Sequence, residues 1–282
     1  MMTSFAIATV GFAARFVPPP ATLQLGPLLG RGNYGSVYAA RFPSEPDLDI
    51  VAKCAFAAVP AEAELAAEYL GREAAANEDV LGFPEFCAYL GETTAEGERY
   101  LLFRRIRPPD GGDRPASCAD LLQPAALAPR EVLRQLLCAL SRLHTAGYVH
   151  RDVKLENLLV DGSLDTPCVK LIDLGSAVSV DGCGLFERMF QGCALDGLTT
   201  PCSVLYAPPE KFADPDHPFS FDIYSASGLL LMIDNHNDTV RSRRWRHSLI
   251  LRTRSPVYPR THSHAHTHAQ ACTHTYMYML FE

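Results

Sequence analysis

The stretch His150-Arg151-Asp152-Val153-Lys154-Leu155-Glu156-Asn157 constrains this chain more than any other. It places an acid, a cation and an amide within six residues of one loop. Phosphoryl transfer uses that set: a carboxylate to take the nucleophile's proton, a cation for the moving phosphate, and an amide oxygen for a metal. A match this short can arise by chance, so its neighbours decide. Sixteen residues beyond Asn157 comes Asp173-Leu174-Gly175. Far upstream lies Gly30-Arg31-Gly32-Asn33-Tyr34-Gly35-Ser36-Val37, followed by Lys53. The chain contains only four lysines, Lys53, Lys154, Lys170 and Lys211. Two of them fall at these motifs, where a compact ammonium serves better than a guanidinium fork.

The surrounding pattern gives each motif a setting. Leu23 to Leu29 reads as a strand entering the glycine loop, and Val37 to Ala40 as the strand leaving it. Gly30, Gly32 and Gly35 let backbone N–H groups approach phosphates that a Cβ would hold off. This strand–turn–strand setting differs from the strand–turn–helix of a dinucleotide fold. Ile50 to Lys53 is a third strand whose period of two puts Val51 and Lys53 on one face. Ala61 to Val80, rich in Ala and Glu, predicts a helix. Arg99 to Phe103 is another strand. The run from Pro108 to Pro115 breaks regular structure. From Pro129 a helix runs to about Thr145, with Leu133, Leu136, Leu137, Leu140 and Leu143 at the helical period and Gly147 as its stop. Leu158 to Val160 and Val169 to Ile172 form a short hairpin, and Phe221 to Ile233 a buried helix.

In this order the motifs resemble the signature set of the protein-kinase superfamily, over roughly residues 23–233. The resemblance implies an α+β, bilobed fold. A β-rich small lobe would occupy residues 21–106, and a helical large lobe, incomplete at its C-terminal end, residues 107–234. It also implies ATP and Mg²⁺. By the family's pattern, Lys53 holds the α/β-phosphates and pairs with Glu73, with Glu68 as the rival for that pairing. Gly30, Gly32, Gly35, Val37 and Val51 would surround the nucleotide. Asp173 and Asn157 would hold Mg²⁺, Asp152 would orient and deprotonate the attacking hydroxyl, and Lys154 would stabilise the transferring γ-phosphoryl. Lys154 two residues after the Asp is the Ser/Thr form of the loop, so the expected partner is a protein substrate with Ser or Thr. The alternative is a pseudokinase, or a truncated nucleotide-binding or interaction protein without catalysis.

Several positions depart from the family pattern. Val51 stands where Ala is usual, Leu174 replaces Phe, Pro208 replaces Ala, and Tyr224 stands where Trp is commonest. Arg151 could clamp a phosphate on the activation segment, residues 176–206, or be satisfied by backbone carbonyls. Asp222 would hold the backbone of the catalytic loop. The runs Ile172 to Val178, Tyr206 to Glu210 and Phe221 to Ser225 are similar to the plastid state-transition kinases that phosphorylate light-harvesting proteins. That likeness favours a chloroplast address over a cytoplasmic one.

Composition narrows the remaining classes. The net charge is -7, yet residues 236–282 carry seven Arg against Asp238 and Glu282, which leaves about -12 on the rest. An acidic main body argues against nucleic acid as the partner. Nine Cys with no C-x-x-C pair suggest a reducing compartment. No run approaches the ~18–20 apolar residues of a membrane span. Residues 1–20 read as a leader, either a targeting segment or an unpacked terminus, closed by Pro18-Pro19-Pro20. Residues 235–282, with seven of the ten His and a Thr-His tract, read as a low-complexity tail of disordered or mistranslated sequence.

Overall fold

The computed structural model describes residues 23–108, 111–112, 114–121, 128–163, 165–180, 206–208 and 217–235. The leader, the segment cysteines Cys183, Cys193 and Cys202, the hydroxyls Thr199, Thr200 and Ser203, the residue Glu210 and the tail from 236 lie outside the described residues.

Five antiparallel strands build the first layer: β1 (Gln24–Arg31), β2 (Gly35–Phe42), β3 (Glu45–Ala55), β4 (Tyr89–Ala95) and β5 (Glu98–Arg104), in the order β1-β2-β3-β5-β4. Alternation along β3 gives the sheet two apolar faces. Ile50 and Ala52 join Phe42, Ala40, Tyr100 and Leu102 on one face. Val51 falls on the other, with Leu101, Phe103 and Tyr89, and there α1 (Ala63–Asp79) packs through Leu70 and Ala74. Val51 sits directly opposite Phe103, and Phe103 opposite Tyr89, so one row of bulky side chains crosses three strands.

The second layer is built on α3 (Pro129–Thr145), which follows the single-turn α2 (Cys118–Leu121). Pro129 starts α3, and Gly147 at φ +83° turns the chain out of it, a conformation that suits glycine. Leu133, Leu136, Leu140 and Leu143 are buried, while Leu137 lies partly buried at the edge of the stripe. They pack on β7 (Leu158–Asp161) and β8 (Cys168–Leu171), through Leu158, Val160, Val169 and Leu171. Ala226 and Leu229 of α4 (Ser220–Asn235) complete this core, and Ala76, Val80 and Phe86 extend it up to the end of α1. A two-residue pair, β6 (Tyr148–Val149) with β9 (Val178–Ser179), ties the chain before His150 to the chain after Gly175. No described helix is long and apolar enough to cross a membrane.

The Leu140 side chain is 1% exposed at the middle of this core. Leu140→Ala is expected to cost about 2–5 kcal/mol through lost burial and an unfilled cavity, read as a lower urea midpoint at unchanged m-value.

Candidate active site

The cleft between the layers gathers side chains that are far apart in the chain. β3 carries Lys53, whose Nζ lies 2.5 Å from Glu73 Oε2 on α1 and 2.8 Å from Asp173 Oδ1. Glu68, the rival for that pairing, is on another face of α1 and pairs with Arg72. Burial by itself would lower the Lys53 pKa, but the Asp173 and Glu73 carboxylates outweigh it and hold the ammonium above the ordinary lysine value. Burial pushes the Glu73 carboxyl up to about 7, against the pull of Lys53 and with the help of Asp173. Burial would raise Asp173 as well, yet the charge and hydrogen bond of Lys53 bring it down to about 2.

The glycine loop runs from the end of β1 into β2. Gly30 and Gly32 stand clear of other side chains, and Gly32 N donates to Gly35 O at 2.8 Å, closing the turn. Gly35 is different: a Cβ there would stand 2.8 Å from Lys53 Cε. Lys53 is held by two carboxylates and could yield only by leaving them, which is why position 35 needs glycine. Val37 lies opposite Lys53 in the β2–β3 pairing, and Val51 lies two residues along from Lys53 on the same strand face.

A second cluster sits in the loop after β6. Lys154 Nζ reaches Asp152 Oδ2 at 2.5 Å, and Asn157 Nδ2 donates to Asp152 O at 2.8 Å and Asp152 Oδ2 at 3.1 Å. The amide nitrogen of Asn157 is thereby committed to Asp152, so its oxygen is the atom left to meet a cation. The two clusters are joined by backbone: Ile172 N donates to Asn157 O at 3.0 Å, and His150 Nε2 contacts Ile172 O at 3.2 Å. Asp173 also feels the Lys154 charge, which holds its carboxyl down further. Its side chain is 44% exposed, and Asp173 itself takes a left-handed conformation at φ +63° before the turn Leu174–Ser176. An exposed carboxylate and an amide oxygen are both donors of the kind a hard cation such as Mg²⁺ takes.

The loop is held from below by α4. Asp222, fully buried, accepts His150 N at 2.7 Å through Oδ2 and Arg151 N at 2.8 Å through Oδ1. His144 Nε2 lies 2.8 Å from Asp222 Oδ2, a partner 78 residues away that no local pattern announces. Burial would push the Asp222 carboxyl up, but the hydrogen bonds from His144 and the loop backbone keep it low. Arg151, at φ +66°, donates from Nε to Ser176 O at 2.7 Å, so a backbone carbonyl of the following turn takes this side chain. Sequence reasoning missed Tyr69, whose ring stacks on Tyr34 of the glycine loop, and Tyr148, whose hydroxyl donates to Asp79 at 2.6 Å.

A β-sheet lobe with a glycine loop, a buried lysine–glutamate pair beneath it and a loop carrying Asp152 on a helical lobe make up a cleft of the protein-kinase type. The family profile described as the protein kinase domain matches residues 23–244, and the chain belongs to that family. A mitogen-activated protein kinase kinase kinase of Arabidopsis thaliana, ANP1, is 31% identical over 216 residues, covering 73% of this chain and 29% of the relative. Mouse (Mus musculus) ribosomal protein S6 kinase alpha-4 is 35% identical over 105 residues, covering 36% of this chain and 12% of the relative. A chain of the CAK complex from Chaetomium thermophilum, solved bound to ATP-gamma-S, has the same fold. Its TM-score is 0.58 at 20% identity, over 75% of this chain and 62% of that one. The chain spans less than a third of the length of the first of these relatives.

Removing the Asp222 carboxylate leaves two buried loop N–H groups without their acceptor. Asp222→Ala is expected to cost about 2–5 kcal/mol, seen as a lower melting temperature.

Proposed function

We propose that this chain is a protein serine/threonine kinase that transfers the γ-phosphoryl group of ATP to a protein hydroxyl. The observation that carries the reading is the convergence of Lys53, Glu73 and Asp173 with Asp152, Lys154 and Asn157 in one cleft under a glycine loop. Lys53, fixed by Glu73, is placed to hold the α- and β-phosphates, and the backbone at Gly30, Gly32 and Gly35 to lie over them. Asp173 and the Asn157 oxygen would hold Mg²⁺, which when bound neutralises charge on the phosphates. Asp152 orients the Ser or Thr hydroxyl and takes its proton as the oxygen bonds to the γ-phosphorus. The bond to the β-phosphate oxygen breaks, and ADP leaves with that electron pair. Lys154, already 2.5 Å from Asp152, lies where it can follow the charge on the moving phosphoryl.

The intact Lys53, Asp152, Asn157 and Asp173 favour catalysis over a nucleotide-binding pseudokinase. Lys154 in the loop favours Ser/Thr over Tyr as acceptor. One named relative is a mitogen-activated protein kinase kinase kinase and another a ribosomal protein S6 kinase, and what this chain shares with both is a protein Ser/Thr hydroxyl as the proposed acceptor. The state-transition likeness adds light-harvesting proteins to the substrates worth assaying.

Labelled phosphate from [γ-³²P]ATP is expected on a Ser/Thr protein substrate with the wild-type chain and Mg²⁺, and not after chelation with EDTA. Asp152→Asn is expected to lower that transfer by roughly 10²–10⁴-fold, while Mg²⁺-ATP still raises the melting temperature. A wild-type chain stabilised by Mg²⁺-ATP that transfers no label would establish the pseudokinase reading instead.

A further inference from the structure

The glycine loop touches α1 through one pair of rings. Tyr34 sits at the loop tip, between Gly32 and Gly35, and its carbonyl accepts Phe56 N at 3.0 Å. Its ring stacks on that of Tyr69 with centroids 4.6 Å apart and planes inclined by 29°. Tyr69 lies four residues before Glu73, one turn earlier on the same side of α1. It is 7% exposed, so its ring is a fixed platform and not a surface side chain. The Arg72 guanidinium, held by Glu68, lies 5.5 Å from the centre of the Tyr69 ring.

Tyr69 also reaches the turn that carries Asp173. The Tyr69 carbonyl oxygen and Cδ1 lie 3.4 and 3.5 Å from where a Cβ on Gly175 would stand. One residue of α1 therefore meets the loop over the phosphates on one side and the Asp-Leu-Gly turn on the other. The same helix carries Glu73, which fixes Lys53.

We propose that Tyr34 and Tyr69 are positioning residues whose stacked rings couple closure of the glycine loop to the seating of α1 and the Asp173 turn. The proposal rests on the kinase reading only in that Mg²⁺-ATP is the ligand the loop closes over. When the rings are stacked, the loop backbone is held down over Lys53 and α1 is held in toward β3. When the contact is lost, each part keeps its own fold, but the loop no longer reports on the helix. The coupling runs through the faces of the two rings and not through their hydroxyls.

A double-mutant cycle on the full chain tests this, with the dissociation constant of Mg²⁺-ATP as readout and the melting temperature as a check on folding. Tyr34→Ala and Tyr69→Ala are each expected to weaken Mg²⁺-ATP binding by about two- to tenfold, the range set by the value of an aromatic pair. The double variant is expected to bind about as weakly as the weaker single variant, and Tyr34→Phe and Tyr69→Phe to bind within about twofold of wild type. Tyr69→Leu, which keeps an apolar group at a buried site, repeats the test if the alanine variant does not fold. Single effects that multiply in the double variant, or a Tyr34→Ala chain with wild-type affinity, would overturn the coupling. Binding without phosphotransfer would defeat the catalytic reading while the cycle still decides the coupling. A wild-type chain that binds no Mg²⁺-ATP would overturn both.

Discussion

Lys53 is the ion on which the architecture of the cleft depends. Its ammonium is shared by a glutamate 20 residues on, in α1, and an aspartate 120 residues on, after β8. A buried carboxylate such as Glu73 is tolerated only when it is paired, since an isolated charge in the interior costs several kcal/mol. The pair therefore exists only when α1 is docked on the sheet, and docking is made by Leu70 and Ala74 against Leu101, Phe103 and Tyr89. Apolar packing supplies the stabilisation, and the ion pair sets the register in which that packing is productive. Gly35 belongs to the same constraint, because the space a side chain would need is filled by the Lys53 stem.

The loop from His150 to Asn157 obeys a second constraint of the same kind. Asp222 is buried, and among the described residues the His144 ring and two loop N–H groups make up its hydrogen-bonding shell. Left-handed backbone at Arg151 and Asp173 is affordable here because neighbours over-determine both positions. Arg151 is fixed by Asp222 through its N–H and by Ser176 through its side chain. The β6–β9 pair then ties the loop to the turn that carries Asp173. The loop from His150 to Asn157, the turn that carries Asp173 and α4 behave as one hydrogen-bonded block, with its apolar support in α3.

How much of this could be read in advance varies with how the signal is encoded. α3 was legible to its ends, Pro129 and Thr145, because a leucine stripe, an N-terminal proline and a following glycine all agree. The first three strands were legible in kind but short in length; β3, for one, begins at Glu45 in a polar run that no apolar pattern marks. β4 was not anticipated: in Tyr89 to Ala95 only Tyr89 is buried, as befits an edge strand. β6 and β9, at two residues each, are too short to show a period. The choice between Glu73 and Glu68 needed the structure. Ala and Glu dominate α1, so no apolar stripe in the sequence says which face turns inward. For the same reason the Tyr34–Tyr69 stack was invisible, though an aromatic at a glycine-loop tip is a signal that could have prompted a search for its platform.

The two carboxylates that share Lys53 are not equivalent, and their environments divide the work between them. Glu73 is buried at 3% exposure, with its carboxyl pushed up to about 7, so its ionised form depends on the ammonium beside it. Asp173 is 44% exposed at the side chain, and the charge and hydrogen bond of Lys53 bring it down to about 2, so in this pairing it is ionised. A group of the first kind can only hold a neighbour in place; a group of the second kind can exchange its partner for a cation without leaving a buried charge behind. Paired groups set apart by environment in this way take different parts in proton and metal chemistry. The same division recurs across the cleft, where Asp152 is committed to Lys154 and Asn157 keeps only its oxygen to offer. Lys53 thus keeps a buried partner in Glu73, while Asp173 offers its carboxylate to the lysine and to solvent together.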